Sequence, residues 1–431
     1  MSTSYRSSPI RSSLRYSFWD GAFYSMMFGM GEFYIIPLAV RLRLSSTEIG
    51  VLSAFMGLAV AFAQFASPAL SQRYGRKKLI VRAVFMQAVM CLPIGALSFA
   101  KPHWKISAHL SVALIALATM YATFGSVATP AWSSLIGQYV PANMRGRYFS
   151  WRQRLTGFIT LAGTFAGAAC IQLMSAGYAV VFAVASAARF ASCWSLTKHF
   201  EPRSRADVNF YRNVFASPGD PKYRNFINFT LFISSISFTV NLSAPFFAVY
   251  MLRGLSFSMV TYTLITVTST LVTLLAMPAW GRHSDSVGNV QVIKLSSLMI
   301  CILPALWIVS PYKPYLFFIQ IIGGFAWSGF NIAVTNFIYD VSAEHQRIGN
   351  FAFFNLLNGL GICLGALCGG FIIPHLPMIF ESQILTLFAL STLLRCVAVA
   401  FLSGIKEVKQ VQTVGKYALL LSLIGIRPLK M

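Results

Sequence analysis

Twelve apolar runs, each long enough to cross a bilayer as a helix, recur along the 431 residues of the chain. A stretch of 18 or more apolar residues is a membrane-helix candidate. The runs lie at about 17–40, 47–70, 79–100, 108–137, 152–175, 177–197, 225–250, 259–280, 291–310, 314–340, 351–373 and 379–403. They are too long, and alternate too little, for barrel strands of about ten residues. Backbone polar groups in lipid must be satisfied within the segment, which leaves helices. The fold class is therefore all-α integral membrane, with twelve transmembrane helices and the lipid bilayer as first partner. Only 10% of residues are charged, against about 25% in soluble domains.

The links between runs carry the charge. Residues 71–83, "SQRYGRKKLIVRA", hold five basic residues and no acid. A net charge of +23 invites a nucleic-acid reading, but the cations are spread over short links, which sets orientation; no nucleic acid is expected. With the N-terminus inside, cytoplasmic segments hold 26 of the 34 Lys and Arg, and outer links hold six. This predicts a multi-pass protein of the cell (inner) membrane with both termini cytoplasmic. The seven cysteines lie in apolar runs without CxxC spacing, so neither a disulfide framework nor a metal site is expected, and no cofactor either. The six histidines sit in links or at span ends, and no HExxH, Walker or Gly-x-Ser-x-Gly motif occurs, so an enzyme is not expected.

The reading divides the chain into a disordered basic tail (1–16), a six-helix bundle (17–197), a cytoplasmic linker (198–224), a second six-helix bundle (225–403) and a cytoplasmic tail (404–431) with an interfacial helix near "KYALLLSLIGIR". The bundles repeat each other. Arg189 stands twelve residues before Glu201, and Arg395 twelve before Glu407. "IPLAV" in the first run is echoed by "APFFAVYMLRGLS" in the seventh, and the link after the second run by "GRHSDSVGNVQVIK" after the eighth. Pseudo-symmetric halves with a site near the midplane are a transporter architecture.

These residues resemble the major facilitator superfamily. Its signature between helices 2 and 3, Gly-x-x-x-Asp-Arg-x-Gly-Arg-Lys, is matched in "PALSQRYGRKK" by Arg73, Gly75, Arg76 and Lys77. Pro68 and Gln72 replace the Gly and Asp. The looser second copy keeps Gly281, Asp285 and Gly288, with Ser286 and Asn289 at basic positions. "PAWSSLIGQYVPANMRGRYFSWRQR" and "SAPFFAVYMLRGLSFS" resemble a bacterial group within the superfamily. The resemblance implies the major facilitator fold: a monomeric secondary transporter for a small-molecule solute, working by alternating access. A transport-inactive sensor or scaffold, and a lipid-modifying enzyme, are the alternatives. It also implies that Asp285 faces the start of helix 5, where Arg152 and Arg154 stand, as a cytoplasmic gate. Arg76 and Lys77 then serve orientation and helix ends.

Glu32, in "FGMGEFYIIP", is the one acid read as well inside a span. A charge there is costly and faces a cavity or a partner. It is read as a protonatable or substrate-binding carboxylate, with H+ as coupling ion, or as a structural group bonded to an amide such as Gln64. Gly29 and Gly31 admit close approach, and Pro37 is placed to kink the helix. Asp20 is read as a partner of nearby arginines. Gln64, Asn241, Asn331, Asn336, Asn355 and Asn358 are candidates for the solute site or interhelical glue. Trp132 and Trp327 are candidates for an aromatic wall or for packing. No Lys lies deep in a run, and Arg82, Arg189 and Arg395 are read as sitting toward cytoplasmic ends, so a neutral or cationic solute is expected.

Overall fold

A computed structural model of the chain describes residues 8–100, 107–140, 145–201, 221–342 and 347–408. Twelve segments among them are long and apolar enough to span a membrane, the number read from the sequence, and they contain no strand. The helices are α1 (Ser8–Met30), α2 (Ile35–Arg41), α3 (Ser46–Tyr74), α4 (Arg76–Ala96), α5 (Ser107–Tyr139), α6 (Arg145–Leu173), α7 (Gly177–Thr197), α8 (Pro221–Asn241), α9 (Ala244–Val249), α10 (Met259–Val287), α11 (Asn289–Val309), α12 (Lys313–Val341), α13 (Arg347–Ile372) and α14 (Gln383–Ala400). The first span combines α1 and α2, and the seventh combines α8 and α9.

Both composite spans break at a predictable place. Pro37 has no N–H to offer the carbonyl of residue 33, and Pro245 none to offer residue 241. The first break is a 3-10 turn at Glu32–Tyr34, and the second is the turn at 242–243 before α9. Carbonyls at the second break are met from α14. Ser391 Oγ donates to Thr239 O at 2.8 Å, and Arg395 Nη2 donates to Val240 O at 3.4 Å.

Residues 8–16, read as part of a disordered tail, are instead the first turns of α1. Pro9 suits a first helical turn. Ile10 and Leu14 pack on a core cluster that includes Ile80, Leu135 and Leu196. Ser13 is fully buried and accepts from Phe200 N at 2.9 Å. The Ser/Arg-rich composition conceals an i, i+4 face that is covered by α4, α5 and α7. Residues 1–7, most of the expected linker (202–220) and of the tail (409–431) lie outside the described residues.

The helices form two compact units: Met1–Asp207 with Pro245–Thr263, and Val208–Ala244 with Leu264–Met431. The six-and-six division in sequence is thus not the division in contacts, because 245–263 joins the first unit. Arg253 Nη2 donates there to Val40 O at 2.9 Å. In the first unit, α1 packs on α6 and α7, and α4 on α5 and α7; in the second, α8 packs on α13 and α14, and α11 on α12 and α14. The helix entries repeat too. Arg43 (φ 60°) precedes the cap Ser45, and Ser256 (φ 50°) precedes the cap Ser258. Ser45 and Glu48 form a reciprocal capping box.

Candidate functional site

The basic link is built around a turn. Gly75 has φ 81° and Gly288 has φ 90°, a region that disfavours a Cβ. Arg76 and Lys77 therefore open α4, where a helix dipole disfavours cations. Glu201 offsets this: its Oε1 accepts from Arg76 N at 3.0 Å and Lys77 N at 3.3 Å. The Arg76 guanidinium reaches Ser134 Oγ at 3.2 Å and Gln138 Oε1 at 3.1 Å on α5. Arg73 lies over the Tyr74 ring, 5.4 Å from its centroid. In the second copy Glu407 Oε2 accepts from Val290 N at 2.8 Å. The Arg–x11–Glu repeat read in the sequence thus carries one device twice: an acid after the sixth and twelfth spans caps the third and ninth. Asn289 Nδ2 donates to Asp340 Oδ2 at 2.6 Å, at a position where the signature has a cation. Gly281 has open space around it, and Asp285 is exposed.

The first unit holds a half-open pocket of about 170 Å³ between α1, α4, α5, α6 and α7, walled more by apolar than by polar surface, with Asp20, Tyr24, Trp132, Arg152 and Arg189 among its lining residues. Because α1 begins at Ser8 rather than near 17, Asp20 lies well inside the first span and is only 4% exposed. Its Oδ1 accepts from Ser192 Oγ at 2.7 Å, and its Oδ2 accepts from Trp132 Nε1 at 3.0 Å. Arg152 Nη2 stands 3.6 Å from Oδ2, and its guanidinium carbon is 4.4 Å from the Trp132 ring centroid. The expectation that Asp20 partners arginine is met.

Arg189 departs from its reading as a group near a helix end. It is 4% exposed, and its Nε donates at 2.8 Å to Gln87 Oε1 at the middle of α4. Its Nη1 donates to Ser192 Oγ at 3.1 Å, and it covers the Tyr24 ring at 4.9 Å. Two glycines make room. A Cβ on Gly21 would come within 2.5 Å of Arg152 Nη2, and one on Gly125 within 2.3 Å of Gln87 Nε2. Arg395 is also buried, 3% exposed, and donates to Ile300 O at 2.9 Å. The argument against deep cations, on which a neutral or cationic solute rested, therefore fails for both residues. The cause is legible: contacts to mid-helix groups, not position along the arginine's own helix, set depth.

Glu32 sits at the break in the first span. Tyr121 Oη lies 3.1 Å from Glu32 Oε2 and 2.7 Å from Met27 Sδ. One hydroxyl hydrogen cannot serve both, and a thioether is the weaker acceptor. Glu32 has no cation within 4.0 Å among the described residues. Gly29 permits the expected close approach, since a Cβ there would lie 2.4 Å from Thr160 O.

The second unit scatters the amides. Asn358 Oδ1 accepts from Ser237 Oγ at 2.5 Å, which ties α8 to α13, and Asn241 Nδ2 donates to Ser237 O within α8 at 2.9 Å. Asn336 Nδ2 donates to Ser284 Oγ at 3.4 Å, near the Gly288 turn. Asn331 is exposed, and Trp327 lies edge-on to Phe330 at 5.6 Å. Gln64 and Asn355 are partly buried and engaged. The sequence reading named Trp132 and Arg152 for separate roles, an aromatic wall and a gate, and missed Tyr24, Gln87, Tyr121 and Ser192. The repeated arginine was its one pointer to the cavity.

The family model of the Major Facilitator Superfamily matches residues 21–223 and 227–425. Among curated proteins, none matches. Solved structures share the fold: the D-xylose-proton symporter (13% identity, TM-score 0.72, covering 94% of this chain and 100% of that one), a bacterial homolog of the human lysosomal transporter Spinster in its inward-facing, occupied conformation (14%, 0.68, 94% and 97%), and the nucleoside transporter NupG (15%, 0.67, 93% and 100%). On the matched residues, the twelve spans and the repeated links, the chain belongs to the Major Facilitator Superfamily.

Proposed function

We propose that the chain is a secondary active transporter that moves a small organic solute by alternating access and couples it to protons through Glu32. The observation that carries the coupling is the setting of Glu32. It is the acid at the break of the first span, with Tyr121 as its hydroxyl donor and no cationic partner within 4.0 Å among the described residues. If Glu32 takes up a proton, its own hydroxyl donates to Tyr121 Oη, and the Tyr121 hydrogen turns to Met27 Sδ. The pair thus has two complete hydrogen-bonding states, one for each charge. Asp20, twelve residues earlier in the first span, is a fixed charge held by Ser192, Trp132 and Arg152. Membership of a transporter family and the proton symporter among the fold neighbours support this reading.

The test is flux. Proteoliposomes holding the purified chain are offered a metabolite mixture under an imposed pH difference, and trapped solutes are identified by mass spectrometry. Accumulation of a solute that stops when the gradient is collapsed is expected. Its absence for every solute would favour a transport-inactive sensor.

Both termini and the 198–224 link are proposed to be cytoplasmic in the cell (inner) membrane, on the 26-to-6 distribution of basic residues. Single cysteines at 103 and 210, in a cysteine-free background, should then label from outside at 103 only. Labelling at 210 alone would invert the topology.

A further inference from the structure

We propose that the first-unit cavity is a subsite for the carboxylate of a small monoanionic, single-ring solute, with Arg189 as the anion-binding group. The inference rests on the transporter reading and narrows its substrate. The lining residues carry two guanidinium groups, Arg152 and Arg189, against one carboxylate, Asp20. Asp20 already accepts from Ser192 and Trp132 and is charge-paired with Arg152. Arg189 is different. Its Nε goes to Gln87 and its Nη1 to Ser192. Its Nη2 has no hydrogen-bond partner among the described residues, and no carboxylate lies within 4.0 Å of the group. Arg189 is linked to Asp20 through Ser192 and lies in the field of Glu32, but its Nη2 donor is left open, and a guanidinium is suited to binding carboxylate. An anion entering the cavity would complete the hydrogen bonding of Arg189.

The remaining walls set size and shape. A cavity of about 150 Å³ holds a benzene-sized molecule, so 170 Å³ suits one ring with a short acidic group. Trp132 and Tyr24 supply aromatic surface, each with one face engaged by an arginine. Gln87 and Ser192 fix the orientation of Arg189, and Gly125 gives Gln87 its place. The site is therefore preorganised by neighbours rather than assembled by the solute.

The test is equilibrium binding of benzoate, benzamide and benzylammonium, equal in ring and different in charge, to the full chain in nanodiscs, read by calorimetry. Benzoate is expected to bind at least tenfold more tightly than either of the others. Arg189→Gln and Arg152→Gln, each verified as folded by its melting profile, are each expected to weaken benzoate tenfold or more and leave benzamide within threefold. Equal binding of benzoate and benzamide, preference for benzylammonium, or no binding of benzoate would each overturn the proposal. So would unchanged benzoate affinity in folded Arg189→Gln. If that variant does not fold, the charge preference of the unaltered chain and the Arg152→Gln result decide. The readout needs no flux, so benzoate binding without solute accumulation would refute the transporter reading and leave the subsite standing.

Discussion

Gly125→Ala tests how Arg189 is held. The new Cβ would lie 2.3 Å from Gln87 Nε2 and 2.9 Å from its Cδ. Gln87 is 2% exposed, so its amide has little room to move aside. Displacing it breaks the 2.8 Å bond from Arg189 Nε, a bond to a charged group worth about 1.5–3 kcal/mol. Against this, alanine is favoured over glycine in a helix by about 1 kcal/mol. The net expectation is destabilisation by about 0.5–2 kcal/mol. In a Gln87→Ala background the clash is gone, and the same substitution should stabilise by up to about 1 kcal/mol. The assay is equilibrium unfolding in mixed micelles, run as a double-mutant cycle. Effects of Gly125→Ala that agree within about 0.5 kcal/mol in the two backgrounds would refute the contact and the preorganisation built on it.

Three further outcomes follow from the links. Glu201→Gln and Glu407→Gln should each lower stability by about 1 kcal/mol through the lost charge at a helix start, measured by the same unfolding; no change in either would remove the capping role. His199, just beyond α7, is 1% exposed with neither ring nitrogen hydrogen-bonded among the described residues, and burial lowers its pKa from 6.5. The unfolded chain therefore binds a proton that the folded chain does not, so stability should fall as pH drops below about 6.5. His199→Asn should shrink that loss by up to about 1 kcal/mol at pH 5.5, and an unaltered pH profile would contradict it. On the repeated signature, Asp285 is proposed to close the cytoplasmic side through Arg152 or Arg154; Asp285→Arg with Arg152→Asp or Arg154→Asp should recover part of the transport lost in each single variant, and additive losses in both exchanges would reject the pairing.

The spans were legible because bilayer thickness imposes a length on apolar runs, and the first break because Pro37 removes a donor. The repeated links could also be read, down to Glu201 and Glu407 twelve residues beyond their arginines. The cavity was not. Asp20 looked peripheral because Ser/Arg composition hid the first turns of α1, whose covered face is defined by α4, α5 and α7. Arg189 looked peripheral because its depth depends on Gln87, about a hundred residues away. Tyr121 carried no signal at all, being one tyrosine in an apolar helix until the break in the first span brings Glu32 to it. Periodicity reports which face a helix buries, but the pairing of polar groups across helices belongs to the packing.

Glu32→Gln examines the central claim most directly. The substitution keeps size and hydrogen-bonding reach but cannot change charge. Proteoliposomes carrying it are compared with the unaltered chain for accumulation of the profiled solute under a pH difference and for solute exchange at equal pH. Accumulation is expected to disappear while exchange survives. Accumulation against the solute gradient by Glu32→Gln would contradict the claim.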